Sequence, residues 1–251
     1  MAEHIDSDEI SSLMAYTTSD QNVKLTDGSG IFAKLKQKNF SRAFGQYSTD
    51  HQDAICASLG WASGAMSAHP VEAFTLKFKK QVGIEAENAK PDFNEVFADQ
   101  IKSDYGNVYL NRDIYYDWFE DGQLSSGYFF DELIFADKAK YDIQRSIADL
   151  LNSRDKVNQQ EAGVTEIINA IATVCRQMFD SNIIAAGTYQ GPDVLNLKTG
   201  DTLPQGYLIQ SVPVSKMSPA DVAARRSTPI YVTFKYSGST HFVTINVNID
   251  R

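Results

Sequence analysis

Positive charge is scarce in this chain. Its 23 lysines and arginines face 32 aspartates and glutamates, for a formal net charge of −9 and a pI near 4.9. Nucleic-acid binding draws on clustered lysines and arginines, so this balance excludes a general phosphate-binding surface and, with it, a nucleic-acid partner. Long apolar runs are missing too: no stretch of about 18 apolar residues occurs, so the sequence offers no membrane-spanning helix or membrane anchor. Residues 1–8 are acidic and polar, unlike a signal peptide. Only two cysteines are present, Cys56 and Cys175. Both sit in apolar helical contexts and read as buried thiols of a reducing compartment; a disulfide between them is neither required nor excluded. The four histidines, His4, His51, His69 and His241, never fall at metal-ligand spacing with another His, Cys or carboxylate.

What is present is the patterning of a globular α/β chain. Hydrophobic residues make up 43% and charged residues 22% of 251 positions, enough for a full core. Residues 8–14 read as a short helix, 23–25 as a strand and 31–38 as a helix. Strand-like residues 40–47 then lead into a small-residue helix over 50–66. Residues 73–78 alternate Phe74, Leu76 and Phe78, which predicts a strand with Lys77, Lys79 and Lys80 on a solvated edge. Asp92 followed by Glu95 predicts the start of a helix with Phe93, Val96, Phe97 and Ile101 on one face, ended by Gly106. Residues 107–115 read as a strand and 116–131 as an acidic, aromatic loop.

Two strong amphipathic helices follow. Ile143, Ile147, Leu150 and Leu151 mark the first; Val164, Ile167, Ile168, Ile171, Val174, Cys175, Met178 and Phe179 form the stripe of the second, with Asn158 and Glu161 as its capping box. Residues 183–203 read as a long irregular connection and 207–214 as a strand. Ser218-Pro219 opens a short helix, Ser as N-cap and Pro in the first turn, closed by Thr228-Pro229. Finally Ile230, Val232, Phe234 and Tyr236 alternate, a Ser237-Gly238-Ser239 turn follows, and His241, Val243, Ile245, Val247 and Ile249 alternate in turn. That is a hairpin signal, and an isolated hairpin needs a sheet from its own chain or another. The reading is a mixed sheet flanked by helices (α/β, or α+β), with a core over residues 1–227 and a C-terminal β-hairpin arm over 228–251.

Catalytic chemistry finds little support. Cys56 with His51 or His69 lacks any signature of a thiol nucleophile and base. Asp117, Glu120, Asp121, Asp131 and Glu132 form an acidic cluster with the residue types of paired-carboxylate hydrolysis, but a solvated loop folded back by Trp118, Phe119, Tyr128, Phe129 and Phe130 explains it more simply. Gly28-Ser29-Gly30 lacks a full glycine fingerprint or a phosphate lysine, so no nucleotide site follows. No cofactor or metal site is expected.

Several segments, taken in order, resemble the tail sheath proteins of contractile phages and prophages. Phe74-Thr75-Leu76-Lys77-Phe78-Lys79 with Gly83-Ile84 resembles an early element of that family. Residues 141–149, Asp155-Lys156-Val157 and Glu161-Ala162-Gly163-Val164 resemble its paired helices, and Ile183-Ile184-Ala185-Ala186-Gly187 a following turn. Residues 206–209, 218–226 and 229–248 resemble its closing strand, short helix and terminal hairpin. Gln159-Gln160 replaces a usual Thr-Asp, and Asn182 a usual glycine; these changes touch a cap and a turn.

The resemblance implies a structural protein rather than an enzyme, in the tail of a virion assembled in the host cytoplasm. Its partners would be neighbouring sheath subunits, in stacked hexameric rings, and an inner tail tube protein. Sheath subunits exchange strands through terminal arms, which is β-augmentation. The C-terminal arm would correspond to 228–251, with Ile230, Val232, Phe234, Tyr236, Val243, Ile245, Val247 and Ile249 as exchange residues. No matching N-terminal arm is apparent, which reads as a truncated chain or an unusually short subunit, not expected to form the full ring network alone. The helix at 218–226 would face the tube, with Lys216, Arg225 and Arg226 as tube-facing cations on an otherwise acidic chain.

Overall fold

The computed structural model describes Ala2 and residues 12–112 and 115–244. The chain divides into two units, one made of Met1–Ile134 and Gly238–Arg251, the other of Phe135–Ser237. Residue 228, where the C-terminal arm is expected to begin, lies in the second unit.

The first unit is built on a four-stranded sheet: β1 (Met14–Thr18), β2 (Ala43–Tyr47), β3 (Asn107–Arg112) and β4 (Tyr116–Glu120), in that spatial order. The pairs β1–β2 and β2–β3 are parallel; β3–β4 is an antiparallel hairpin with Leu110 opposite Trp118. Parallel strands need crossovers, and α1 (Ile31–Gln37) supplies the first, α2 (Ala54–Met66) and α3 (Glu95–Ser103) the second. β2 is buried along its whole length, which places cores on both faces of the sheet. Phe44, Tyr109, Phe119, Leu124 and Phe130 gather on one face; Phe32, Tyr47, Ile101, Val108 and Leu110 gather on the other. Each such side chain contributes about 1.5–3 kcal/mol by leaving water. Gly45 lets the first two strands close on the helix behind them: a Cβ there would lie 2.3 Å from the Tyr16 ring and 2.6 Å from Phe32.

Met14, expected as the last residue of a helix over 8–14, instead opens β1, where β-branched Thr17 and Thr18 and Tyr16 suit the pleat. Residues 23–25 are no strand; Gln21–Lys24 is a 3-10 turn capped by Asp20. Residues 73–78 form no strand, because Phe78 takes a φ of 69°, which ends extended geometry for an L-residue. Lys77 is not solvated but 3% exposed and paired with Asp121. Asn94, not Asp92, caps α3: its side chain accepts from the Phe97 N–H at 3.0 Å, and Val96 then points to solvent. Residues 116–120 are not a loop but β4.

The second unit holds most of α4 (Phe130–Ser153), then α5 (Glu161–Asp180) and a two-stranded antiparallel ribbon of β7 (Tyr207–Ser211) and β8 (Ile230–Phe234). Short pairings β5 (Gly187–Thr188) with β6 (Thr202–Leu203) punctuate the irregular connection. The predicted stripe on α5 is the buried one: Val164, Ile167, Ile171, Val174, Cys175 and Met178. Ile143, Ile147 and Leu150 of α4 pack on it, as do Tyr207, Ile209, Ile230 and Val232 of the ribbon. The capping box does not form. Gln160 is the N-cap of α5 and makes no side-chain cap bond; the chain at Asn158 crosses over the first turn, where a Cβ on Gly163 would meet the Asn158 carbonyl oxygen at 1.8 Å.

Candidate assembly surfaces

The ribbon in the second unit carries the first candidate surface. Ile230 lies opposite Ser211, Val232 opposite Ile209, and Phe234 opposite Tyr207. Val212 N–H donates to the Pro229 carbonyl at 3.2 Å and Lys235 N–H to the Gly206 carbonyl at 2.7 Å. By strand parity these bonds assign the inward ladder to residues 208, 210, 231 and 233. The main-chain groups of Tyr207, Ile209 and Ser211 on one edge, and of Ile230, Val232 and Phe234 on the other, therefore point away from the ribbon. Among the described residues no further strand pairs with either edge. Just beyond β8, Ala185 N–H donates to the Lys235 carbonyl and Ser237 N–H to the Ile183 carbonyl.

β8, the first strand of the expected terminal hairpin, pairs with β7 of its own chain, and the described residues expected to alternate after the Ser237-Gly238-Ser239 turn, 241–244, carry no strand. The side chains of Ile230 and Val232 face α5, the Tyr236 ring lies tilted 6.4 Å from that of Phe135, and Val243 is exposed. Ile245, Val247 and Ile249 lie outside the described residues.

The second surface is the excursion between β7 and β8. Its short helix α6 (Pro219–Ala223) begins as the sequence predicts: Ser218 Oγ accepts from Asp221 N–H at 3.1 Å, with Pro219 at the first position. It ends in a Schellman arrangement, Arg226 N–H donating to the Asp221 carbonyl at 3.0 Å and Arg225 N–H to Val222 at 3.1 Å. Arg225 sits at the left-handed position, φ 55°, where glycine is favoured. Gln159 Nε2 donates to the Arg226 carbonyl at 2.6 Å, and Glu161 accepts from Val214 N–H at 2.8 Å, so the start of α5 holds the excursion at both ends. Lys216, Arg225 and Arg226 are all exposed, Lys216 in a separate 3-10 turn, and Arg226 meets Asp221 at 3.3 Å.

The acidic cluster is consumed by structure. Glu120 takes a two-pronged contact from Arg112 at 2.8 and 3.0 Å and a third from Lys102 at 3.3 Å. Burial by itself would raise the Glu120 carboxyl; the Arg112 guanidinium and then the Lys102 ammonium outweigh it and hold it below the ordinary range. Asp117 accepts from Asn111, Glu132 caps the Phe129 N–H, and Asp121 pairs with Lys77. These contacts of Asp117, Glu120, Asp121 and Glu132 hold the β3–β4 hairpin and the start of α4. The most buried carboxylate, Glu87, was not singled out by sequence reasoning; Ser48, Thr49 and Lys90 satisfy it completely. Its signal was local only, a glutamate three residues before a lysine. Cys56, expected buried, is exposed on α2; Cys175 is buried, and both thiols are free. Among the described residues no group of three or more His, Cys, Asp or Glu side chains is placed to hold a metal ion.

A third feature lies in the first unit, where the chain passes residue 238. His241 Nε2 shares a hydrogen bond with Thr75 Oγ1 at 3.1 Å, and its ring stands edge-on to Phe129 (4.7 Å) and Phe78 (6.3 Å). The next residue, Phe242, lays its ring 4.1 Å from the Lys77 ammonium. A row of rings continues from Phe78 to Trp118 and Tyr116.

Comparison with known proteins bears on what these surfaces serve. A solved structure titled as the baseplate of the anti-feeding prophage (AFP), 6-fold symmetrised, aligns with 95% of this chain at a TM-score of 0.59 and 9% identity. At that identity the likeness is one of fold, and this chain spans 60% of the length of that one. No curated protein sequence matches. A family model described as "E217 tail sheath protein gp31-like, C-terminal domain" matches residues 124–249, half of the chain and the whole stretch from the end of β4 through α4, α5, the ribbon and α6. The chain therefore belongs to the E217 gp31-like tail sheath family, whose proteins are structural parts of phage tails.

Proposed function

We propose that this protein is a structural subunit of a contractile phage or prophage tail sheath, assembling in stacked hexameric rings around an inner tube and contracting to drive that tube through the host envelope. The observation that carries the reading, beyond the family, is the β7–β8 ribbon with both edges open among the described residues. Exposed edges are a liability that proteins ordinarily blunt. This chain does blunt one elsewhere: Phe78 and Lys79 exchange main-chain bonds with Phe119 at the outer edge of β4. The ribbon is left as a template for strands from neighbouring subunits, and main-chain bonds there survive while subunits rotate.

In this reading β8, at the start of the 228–251 arm, stays with its own chain as template, the residues after it act as the exchange strand, and Lys216, Arg225 and Arg226 face acidic groups on the tube. No cofactor or enzymatic step is needed, since the extended lattice stores the energy that contraction releases. The particle tail is its place of action and the host cytoplasm its place of assembly.

The baseplate assignment of the similar structure favours one second reading, a sheath-like component confined to the baseplate end of a contractile or injection-type tail. Electron microscopy of the full-length protein expressed with its tube protein separates the two: stacked rings along the tube support a sheath, and a single terminal ring supports the second reading. Ser211→Pro and Val232→Pro each remove an outward N–H from one ribbon edge. Either should abolish the lattice while leaving a folded subunit. Lattices that form unchanged in both variants would refute strand addition at the ribbon.

A further inference from the structure

We propose that residues 238–244 are a self-docked latch: in the free subunit the first unit holds this segment of its own chain through His241 and Phe242, keeping it from a second copy. This rests on the strand-exchange reading above and adds a control on when the arm becomes available.

The chain's own segment already fills the seat. His241 is gripped by groups from two separate stretches, Thr75 and Phe78 from the irregular segment and Phe129 from the residue before α4. Phe242 uses Lys77 between them. Those two consecutive residues meet two different walls, as an extended chain would.

The seat is prepared rather than incidental. Lys77 is buried and paired with Asp121, so its ammonium is a fixed cation presented to the Phe242 ring. Phe78 adopts its left-handed backbone and so brings its ring between Trp118 and His241.

The grip is also shallow. Phe242 remains 82% and Val243 76% exposed, and Gly238, Ser239 and Thr240 are exposed before them. A latch of this kind opens without unfolding either unit.

The test uses the full-length protein and alters the seat, not the arm. Thr75→Val and Phe129→Leu leave the segment's own chemistry intact. In the wild type the His241 Hε1 resonance should be displaced by the Phe129 and Phe78 rings; in both variants it should move toward the free-histidine position. The lag before assembly, followed by light scattering, should shorten on the order of tenfold, the effect of losing one hydrogen bond or ring pair. An unshifted His241 resonance in the wild type overturns the latch. So does a released resonance with an unchanged lag. If no lattice forms in any of the three proteins under conditions where tube protein assembles, the sheath reading has failed and the latch falls with it. Assembly with an undocked His241 sinks the latch alone.

Discussion

Arg225→Gly should make the protein more stable and less able to assemble. Arg225 occupies the left-handed residue of the Schellman turn after α6, with φ 55° and the two closing bonds at 3.0 and 3.1 Å. An L-residue held there costs about 1–2 kcal/mol, which glycine avoids. Glycine also loses more backbone freedom on folding, about 0.5–1 kcal/mol, which offsets part of the relief. The net gain is roughly 0.5–1 kcal/mol, read as a higher urea midpoint at unchanged slope. If the arginine is retained at this unfavourable site because its charge meets the tube, Arg225→Gly should co-sediment with tube less well than wild type. Arg225→Lys keeps both charge and strain and should match wild type in both assays. The deficit should be larger at 0.05 M than at 0.5 M salt, where the screening length shrinks from more than 10 Å to a few ångströms and wild type also loses binding. A variant no more stable than wild type refutes the strain argument. One that is more stable and co-sediments normally refutes the functional role.

Three further outcomes are expected. Lys77→Met and Asp121→Asn should each cost about 2–3 kcal/mol in urea unfolding, because each strands a desolvated charge, while the double variant should cost no more than either single one; additive costs would show that the two groups do not act as a pair. Docking of His241 should weaken on acidification. Burial and then Lys77 lower its pKa below 6.5, against the opposing pull of Asp121 and Glu132, so the docked state binds fewer protons than the free one; docking is complete above pH 6.5 and is lost as pH falls through the docked value. A His241 resonance that stays docked at pH 5 would show instead that the imidazolium is held by the face of Phe129. In the native protein Cys56 should react with a thiol reagent at pH 8 and Cys175 should not, since burial pushes the Cys175 thiol up to about 11; equal labelling would contradict the packing of α5.

The sequence was most readable where one physical signal acted alone. The α5 stripe, spaced for a helix and buried as such, needed nothing but periodicity, and the Ser218-Pro219 start needed only a hydroxyl and a fixed φ. Legibility failed where two local signals competed. Asp92 and Asn94 both qualify as caps for the same helix, and only tertiary placement selects Asn94. Alternation over 73–78 looks like a strand, yet period two reports only that side chains alternate; it says nothing of whether the backbone groups find partners or whether Phe78 turns left-handed. The same limit applies to the arm. Alternation over 230–236 and beyond 241 gives a strand pattern without its partner, and the partner of β8 is β7, some twenty residues earlier in the chain. The acidic cluster failed differently, because composition showed five carboxylates but not the Arg112, Lys102 and Lys77 cations that neutralise two of them.

These features bear on one problem that faces any lattice built by strand addition. Open edges and a free apolar strand from the same gene product assemble wherever they meet, because the main-chain ladder is indifferent to sequence. Selectivity must then come from side chains and from timing. The ribbon supplies the template, with Ile209 and Val232 anchored on α5 so that the edge is rigid before a partner arrives. On the proposed reading, the exposed arginines of the α6 turn would bias assembly toward an acidic tube, a contact that favours encounter more than tight binding. The His241 seat withholds the arm from other free copies by a grip too weak to compete with a full ladder of main-chain bonds. On the proposed reading, a subunit so arranged would polymerise where a growing end offers many contacts at once and stay single elsewhere.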